Sequence, residues 1–198
     1  MVPRGKFSVS FYGKQISLHG STYSYKVLYS NFERGFILPL GGQGEVVIVL
    51  ALKSKVTLGR VPHGFLVLQV PRQKRAEVDI NRKAARGELD LAERLEGEQF
   101  EILVDLIHKV AGVALIQPGT AFKSAKGLAC VRASLKAQSG WLFLLKKSVI
   151  FVPRLVFYLR SGDIDKVMFL KVNRSAQFDM KFMVKGEKDV ELMGVEKG

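Results

Sequence analysis

Cysteine is almost absent from this sequence, and several kinds of protein are excluded by what the chain lacks. Cys130 is the only cysteine among 198 residues, so no disulfide can form within the chain and a reducing compartment is expected. Its alternating apolar surroundings predict a buried small side chain, not a nucleophile. The first residues contain no apolar segment typical of a signal peptide. No uninterrupted apolar run reaches the roughly 18 residues of a membrane-spanning helix, so we expect a soluble, intracellular protein.

Groups that could perform catalysis are also scarce. The three histidines are far apart in the sequence, and their positions (His19, His63 and His108) match no metal-ligand spacing. The stretch Gly41-Gly42-Gln43-Gly44 lacks the Lys-Ser/Thr ending of a phosphate-binding loop and precedes a predicted strand, which favours a hairpin loop. No G-x-S-x-G motif or pair of carboxylates stands out. We therefore predict that the chain is not an enzyme and needs neither a metal nor a cofactor.

Positive charge, in contrast, is abundant. The chain has 31 lysines and arginines against 18 aspartates and glutamates, a net charge of +13, and 47% of its residues are hydrophobic. This hydrophobic content is sufficient for a folded core. The charge balance indicates a polyanionic partner, which is either nucleic acid or an anionic membrane surface.

The first half of the chain has the alternating pattern of β-strands. Phe7, Val9 and Phe11 share one face, with serines on the other, which is the period of a half-buried strand. Turn residues separate this segment from further apolar runs. Seven strands are predicted in all, namely Phe7–Phe11, Ile16–Leu18, Tyr23–Val27, Phe32–Leu38, Glu45–Leu52, Phe65–Val70 and Ala76–Ile80.

A change of period then predicts one helix. Phe100, Leu103, Ile107 and Val110 follow helical spacing, and Gly112 supplies a stop signal after them. Seven strands followed by one amphipathic helix are the plan of a pleckstrin-homology (PH) domain. The first half, residues 1–117, is therefore predicted to be a PH-like barrel capped by a C-terminal helix.

The strand pattern restarts after Pro118 and continues to the last residues. About seven further strands are predicted, namely Leu128–Leu135, Trp141–Leu145, Val149–Val152, Leu155–Leu159, Ile164–Val172, Phe178–Val184 and Val190–Val195. The fold class is thus mainly β, with tandem (double) PH-like barrels in residues 1–117 and 118–198. No helical pattern follows the last strand, so we expect the second barrel to be truncated before its C-terminal helix.

Basic residues are concentrated in the second half and at predicted strand ends. Residues 118–198 carry a net charge of +8, against +5 for the longer first half. Cations at loops can contact phosphates without reading bases, which predicts salt-dependent binding of duplex DNA without sequence preference. The candidate DNA-binding residues are Arg72, Lys74, Arg75, Lys146, Lys147, Arg154, Arg160, Lys171 and Arg174.

One acidic segment interrupts this basic chain. Residues 88–105 contain seven acids and one arginine. Acids at a helix N-terminus are favoured by the helix dipole, which accounts for Glu98 and Glu101 without any partner. The remaining acids indicate a surface for a basic partner. The candidates for that contact are Glu88, Asp90, Glu93, Glu96, Glu98 and Glu101.

Taken in order, several segments resemble the middle domain of the structure-specific recognition protein family, the smaller subunit of the FACT histone chaperone. Residues 3–7 (PRGKF) resemble that family's P-R-G-[KR]-[YF] start, and residues 18–27 (LHGSTYSYKV) resemble its L-H-G-K-T-x-D-Y-K-I hairpin. Residues 36–39 (FILP) are similar to L-F-L-L-P, and residues 136–145 (KAQSGWLFLL) to K-A-S-x-G-x-L-[YF]-P-L. Leu144 replaces the usual proline of the last motif.

This resemblance implies a double PH fold and a nuclear, chromosomal histone chaperone. Its partners would be core histones at the acidic segment, nucleosomal DNA at the basic loops, and a larger FACT subunit through regions outside this chain. The role would be nucleosome disassembly and reassembly in transcription and replication. An alternative function is a phosphoinositide-binding membrane adaptor, although the K-x(n)-[KR]-x-R pattern of such PH domains is missing from the first hairpin, so we expect no membrane. A peptide-docking scaffold is a third reading, to which no residue can be assigned.

Overall fold

Regular structure in this chain is almost entirely β, which confirms the mainly β class predicted from the period-2 patterns. The computed structural model describes residues 3, 5–41, 44–58, 61–80, 92–120, 122–173 and 176–197, with sixteen strands and one α-helix among them. The chain divides into two compact units. Unit 1 holds Met1–Ile37 and Gly44–Ile116, and unit 2 holds Leu38–Gln43 and Gln117–Gly198. The predicted domain boundary after residue 117 stays a prediction, because a compact unit is not by itself a domain that folds alone.

Unit 1 contains three antiparallel groups of strands. Its elements are β1 (Ser8–Phe11), β2 (Gln15–His19), β3 (Ser24–Leu28), β4 (Phe32–Pro39, whose end enters unit 2), β5 (Glu45–Leu58), β6 (Val61–Pro71), β7 (Arg75–Asp79), β8 (Arg94–Glu98), α1 (Gln99–Lys109) and β9 (Leu115–Ile116). The sheets run β1-β2-β3, β6-β5-β4-β9 and β7-β8. Strand β9 pairs in parallel with β4, in contrast to the antiparallel pairing within the other two groups.

Strands β5 and β6 are longer than predicted. The sequence pattern placed their ends at Leu52 and Phe65, but antiparallel pairing resumes beyond an irregularity, from Val56 opposite His63 to Leu58 opposite Val61. The Asn31 side chain bonds the backbone of Ser54 twice, at 2.9 Å to its carbonyl oxygen and at 2.9 Å from its amide. These two bonds replace ladder bonds where the strand departs from regular pairing.

The helix is confirmed, and a strand that was not predicted precedes it. Strand β8 (sequence RLEGE) has one large apolar residue, so it lacks a clear alternation of apolar and polar residues. Seven strands were therefore predicted before α1, whereas the structure has eight. Helix α1 buries two faces. Ile107 lies in the main core of unit 1, whereas Ile102 and Leu106 pack on the apolar side of the β7–β8 hairpin, with Val78 and Leu95 among their neighbours.

Unit 2 has the predicted seven strands in one antiparallel sheet. They are β10 (Val131–Leu135), β11 (Gln138–Leu145), β12 (Ser148–Val152), β13 (Phe157–Arg160), β14 (Ile164–Leu170), β15 (Gln177–Val184) and β16 (Val190–Glu196). The strand order is β13-β12-β11-β10-β16-β15-β14, so the two edge strands are consecutive in the sequence.

The connection between those edge strands requires the sheet of unit 2 to curl. Seven flat strands would separate the edges by about 29 Å, at roughly 4.8 Å per strand. Only Ser161–Asp163 joins β13 to β14, and such a link spans at most about 15 Å. The curled sheet encloses a core that includes Leu142, Phe151 and Phe182. The helix expected after this sheet stays a prediction.

Candidate DNA- and histone-binding surfaces

The first predicted basic cluster lies at the turn between β6 and β7. Arg72 and Lys74 are exposed there, and backbone bonds hold the turn in place. The Arg72 amide donates to the Gly44 carbonyl at 2.8 Å, and the Gln99 amide donates to the Lys74 carbonyl at 2.7 Å. Exposed cationic side chains on a fixed backbone, as found here, can contact phosphates.

The third residue of this cluster, Arg75, has a different environment. It is the first residue of β7 and pairs directly with Glu98 of β8. Its position is therefore on the exposed face of the β7–β8 hairpin, next to a residue that was predicted to contact a basic partner. Opposite charges on directly paired strands attract each other, so Arg75 is less available to phosphates than Arg72 and Lys74 are.

That exposed hairpin face is the acidic surface of unit 1. The register pairs Glu77 with Glu96 and Asp79 with Arg94, which places two further acids beside those predicted from the linear segment. Sequence reasoning missed Glu77 and Asp79 because β8 had not been recognised and no pairing could be drawn. Arg94 bridges the two strands, since its guanidinium contacts Glu77 and lies with its Nε 3.1 Å from Oε1 of Glu96. We call these paired residues and Arg75 and Glu98 the hairpin face.

The remaining acidic candidates lie near the hairpin face or outside the described residues. Glu93 directly precedes β8 and is exposed, and its carbonyl accepts a bond from the Ile80 amide at 2.7 Å. Glu101 is exposed in the first turn of α1, where the helix dipole favours an acid. Glu88 and Asp90 lie outside the described residues.

In unit 2 the predicted DNA-binding residues separate into two groups at opposite ends of the strands. Lys146 and Lys147 form the β11–β12 turn and are exposed. Arg160 ends the neighbouring strand β13 opposite Ser148, and the Ser161 amide donates to the Lys147 carbonyl at 2.9 Å. These three residues form one cationic group, which we call the Lys146 turn.

The other group is at the far end of the same strands. Arg154 is exposed and follows the cis peptide bond between Val152 and Pro153, after the end of β12. Lys171 follows the end of β14, so five to seven residues of strand separate this group from the Lys146 turn. At about 3.3 Å per residue the separation is roughly 17–23 Å. Arg174 lies outside the described residues.

Lys171 has a structural partner within unit 2. Its ammonium nitrogen lies 2.5 Å from Oδ2 of Asp179, whose side chain is only 6% exposed. The other carboxylate oxygen of Asp179 accepts a bond from the Gly194 amide at 2.9 Å, at the bulge where the β15–β16 register shifts. A buried carboxylate requires such compensation. Lys171 is therefore engaged in holding unit 2 together.

A cleft of about 230 Å³ lies in unit 2 beside the start of β10. Arg132 stacks over the Trp141 ring at 4.9 Å from its centroid, and Lys126 pairs with Glu196 at 3.1 Å. Cys130 lines the cleft but is buried, as predicted. Burial raises the pKa of its thiol, which opposes formation of the reactive thiolate.

Comparison with known families identifies the relatives of this chain. A family model described as SSRP1 PH domain matches residues 1–115, more than half of the sequence. The chain belongs to this SSRP1-like family. A second model, described as histone chaperone Rttp106-like, middle domain, matches residues 129–198. The predicted resemblance and the PH-like fold class are thereby confirmed.

Individual relatives of this SSRP1-like chain carry consistent names. The FACT complex subunit pob3 of Emericella nidulans is 30% identical over 193 residues, which cover 93% of this chain and 34% of the relative. The protein of the same name from Schizosaccharomyces pombe is 30% identical, with 93% and 38% covered. The FACT complex subunit SSRP1 of Gallus gallus is 26% identical, with 91% and 26% covered. The chain thus spans about a third of the length of the fungal relatives.

Structure explains one motif that this SSRP1-like chain shares with its family. In the K-A-x-x-G segment, Lys136 and Ala137 form the tight β10–β11 turn with φ values of 48° and 61°. Gly140 follows on β11, where an added Cβ would lie 2.4 Å from the Val152 carbonyl oxygen. Only glycine allows this approach of β11 to β12. The glycine of the motif is therefore explained by folding, without reference to a ligand.

The described part of this SSRP1-like chain contains no group of three or more histidine, cysteine, aspartate or glutamate residues that could hold a metal ion. His19 contacts the Ser24 hydroxyl at 3.4 Å, and His108 contacts the Val113 carbonyl at 3.3 Å. Among the described residues, no helix has the length and apolar character needed to cross a membrane.

Proposed function

We propose that this chain is a histone-chaperone part of a FACT-like complex and contacts histones and DNA while nucleosomes are taken apart and rebuilt in transcription and replication. The observation that carries the proposal is the order of the two family matches, an SSRP1 PH domain followed by a histone-chaperone middle domain. Relatives named as FACT subunits favour this role over a phosphoinositide-binding membrane adaptor. The protein acts in the nucleus on chromosomes, without catalysis, and the larger FACT subunit binds regions outside this chain.

The DNA contact is proposed at the Lys146 turn. Three cations meet there on fixed backbone, and unit 2 belongs to the more basic half of the chain. Binding through phosphates releases counterions, so affinity falls steeply as salt increases and does not depend on sequence. Arg72 and Lys74 are the second candidate contact. Lys171 is the weaker candidate for this contact, because its ammonium pairs with Asp179.

The histone contact is proposed at the hairpin face. Histones are basic, and a surface that carries Glu77, Asp79, Glu96 and Glu98 complements them. Arg94 and Arg75 offset part of this charge and order the carboxylates at fixed positions on the two strands. Glu93 and Glu101 extend the acidic surface beyond the strand pairs.

One set of titrations tests both contacts. The whole chain is titrated with core histones and with a short duplex at two salt concentrations. The K146E/K147E variant is expected to lose DNA affinity and to flatten its salt dependence by roughly one unit of slope for each lost phosphate contact. The E93K/E96K variant is expected to bind histones more weakly and DNA equally well or better.

Matched controls change the same number of charges elsewhere. K123E/K166E is the control for the basic turn, and D163K/D165K is the control for the hairpin face, since all four residues are exposed in unit 2. Equal loss of DNA affinity in K123E/K166E would mean that only net charge matters. If E93K/E96K kept its histone affinity, the acidic residues would serve only to stabilise helix α1 and the β7–β8 hairpin. Binding to phosphoinositide vesicles alone would overturn the chromatin role.

A further inference from the structure

Three aromatic rings form a ladder at one end of the β1–β3 sheet in unit 1. The Phe7 ring lies 5.9 Å from the Tyr25 ring in a tilted arrangement. The Tyr25 ring in turn lies 6.2 Å from the Tyr23 ring, stacked at 24°. Phe7 and Tyr25 pack against the core of unit 1, whereas Tyr23 is 62% exposed. The ladder therefore begins at the hydrophobic core and ends with a ring in solvent.

The innermost ring, Phe7, packs closely against the backbone of the β2–β3 turn. An added Cβ at Gly20 would lie 2.7 Å from the Phe7 ring and 3.0 Å from the Tyr23 carbonyl oxygen. The Gly20 amide also donates to that carbonyl at 2.9 Å, which closes the β2–β3 turn. Because the turn is fixed and Tyr23 is stacked on an anchored ring, a flat ligand can bind to it at a small cost in conformational entropy.

The charge around the ladder favours an anion. No acidic residue occurs before Glu33, and the three-stranded sheet with its turns contains Lys6, Lys14 and Lys26. Lys6 directly precedes Phe7 at the ladder end of the sheet, where Ser8 pairs with His19 and His19 with Ser24. The other face of this sheet carries hydroxyl, amide and imidazole groups. They are Ser8, Ser10, Gln15, Ser17, His19 and Ser24, of which Ser17 is buried, and Lys26 and the exposed Leu28 lie on the same face.

We propose that Tyr23, supported by Tyr25 and Phe7, is a stacking platform for an unpaired base of single-stranded DNA. Aromatic rings beside lysines bind single strands without sequence preference, because every base has a flat face and every nucleotide a phosphate. One exposed ring at the end of an acid-free sheet matches a base in size, whereas a stable protein interface buries roughly 800 Å² on each partner. A paired base inside a duplex has no face free for stacking. This site is distinct from the duplex contact proposed for unit 2.

The test compares two exposed tyrosines of the same sheet. Y23A in the whole chain is titrated with a labelled oligothymidylate and with a duplex of equal length, followed by fluorescence anisotropy. Because Y23A removes the ring on which one base stacks, it is expected to weaken single-strand binding by about 5- to 100-fold. Y23F is expected to keep the affinity, and so is the control Y12A. Tyr12 is 50% exposed, but it lies at the opposite end of the sheet, where its carbonyl accepts a bond from the Tyr29 hydroxyl.

A second readout reports stacking directly. Tyr23→Trp in a W141F background places one tryptophan at the end of the ladder, and its emission is expected to be quenched by oligothymidylate but not by an abasic strand of the same length. Equal quenching by the abasic strand would overturn the proposal, because phosphates alone would then account for it. Unchanged single-strand affinity in Y23A, or an equal loss with duplex, would also overturn it. Loss of duplex binding in K146E/K147E with the Y23A effect retained separates this site from the proposed chromatin contact.

Discussion

The half-exposed Lys171 holds its ammonium nitrogen 2.5 Å from Oδ2 of the buried Asp179. As a cation at a strand end, it was also a candidate phosphate contact. The K171M variant is expected to lower the free energy of unfolding by about 1–3 kcal/mol, because the carboxylate keeps its burial and loses its cation. Because Lys171 is partly exposed, this loss of stability is expected to be smaller than the loss caused by breaking a fully buried ion pair. Urea denaturation measures the change.

The double variant K171M/D179N and a surface control separate the pair from general effects. Asparagine can still accept the bond from the Gly194 amide, so the double variant should recover most of the loss. K166M removes an exposed lysine of β14, the strand that Lys171 follows, and should leave stability unchanged. A K171M protein with full stability and weakened DNA binding would restore Lys171 as a phosphate contact.

At the scale of elements, the β10–β11 turn is held in a conformation that its residues do not favour. Lys136 and Ala137 both have positive φ, and a two-residue hairpin of this geometry prefers glycine or asparagine. A137G is expected to raise the free energy of unfolding by about 0.5–1 kcal/mol, since glycine has no Cβ penalty there. The reverse change, G186A in the β15–β16 turn at φ +70°, should destabilise by a similar amount. Denaturation midpoints that move in the same direction for both variants would contradict this account.

Elements with strong periodicity could be predicted from the sequence, whereas those defined by their partners could not. Helix α1 and the seven strands of unit 2 follow apolar patterns and are where they were predicted. Strand β8 was missed because Leu95 is its only large apolar residue, and its pairing with β7 depends on residues distant in the sequence. The hairpin face was therefore half predicted, with Glu96 and Glu98 named but Glu77 and Asp79 not. The aromatic ladder was missed for the same reason, since Phe7 and Tyr25 come together only across strands.

At the scale of the whole molecule, a short segment from the first half of the sequence belongs to unit 2. The restart of the strand pattern after Pro118 predicts a second domain over residues 118–198, and the compact unit 2 holds Leu38–Gln43 together with Gln117–Gly198. Periodicity describes which residues are buried and carries no information about which unit buries them. Within unit 2, Gly41 packs so closely that an added Cβ would lie 2.8 Å from both Leu128 and the Trp141 ring.

This packing makes G41A a test of how the chain is divided. Overpacking of a filled site costs about 1–3 kcal/mol, so we expect G41A to lower the stability of unit 2 and to change the emission of Trp141, the only tryptophan. G13A is the control, because nothing lies within 4 Å of the Cβ it would add in unit 1. Unchanged emission and stability in G41A would mean that residue 41 is not part of the unit 2 core. If G41A shows the expected loss of stability, residue 41 belongs to the core of unit 2. A cut at residue 117 would then remove from the second half the segment against which Trp141 packs.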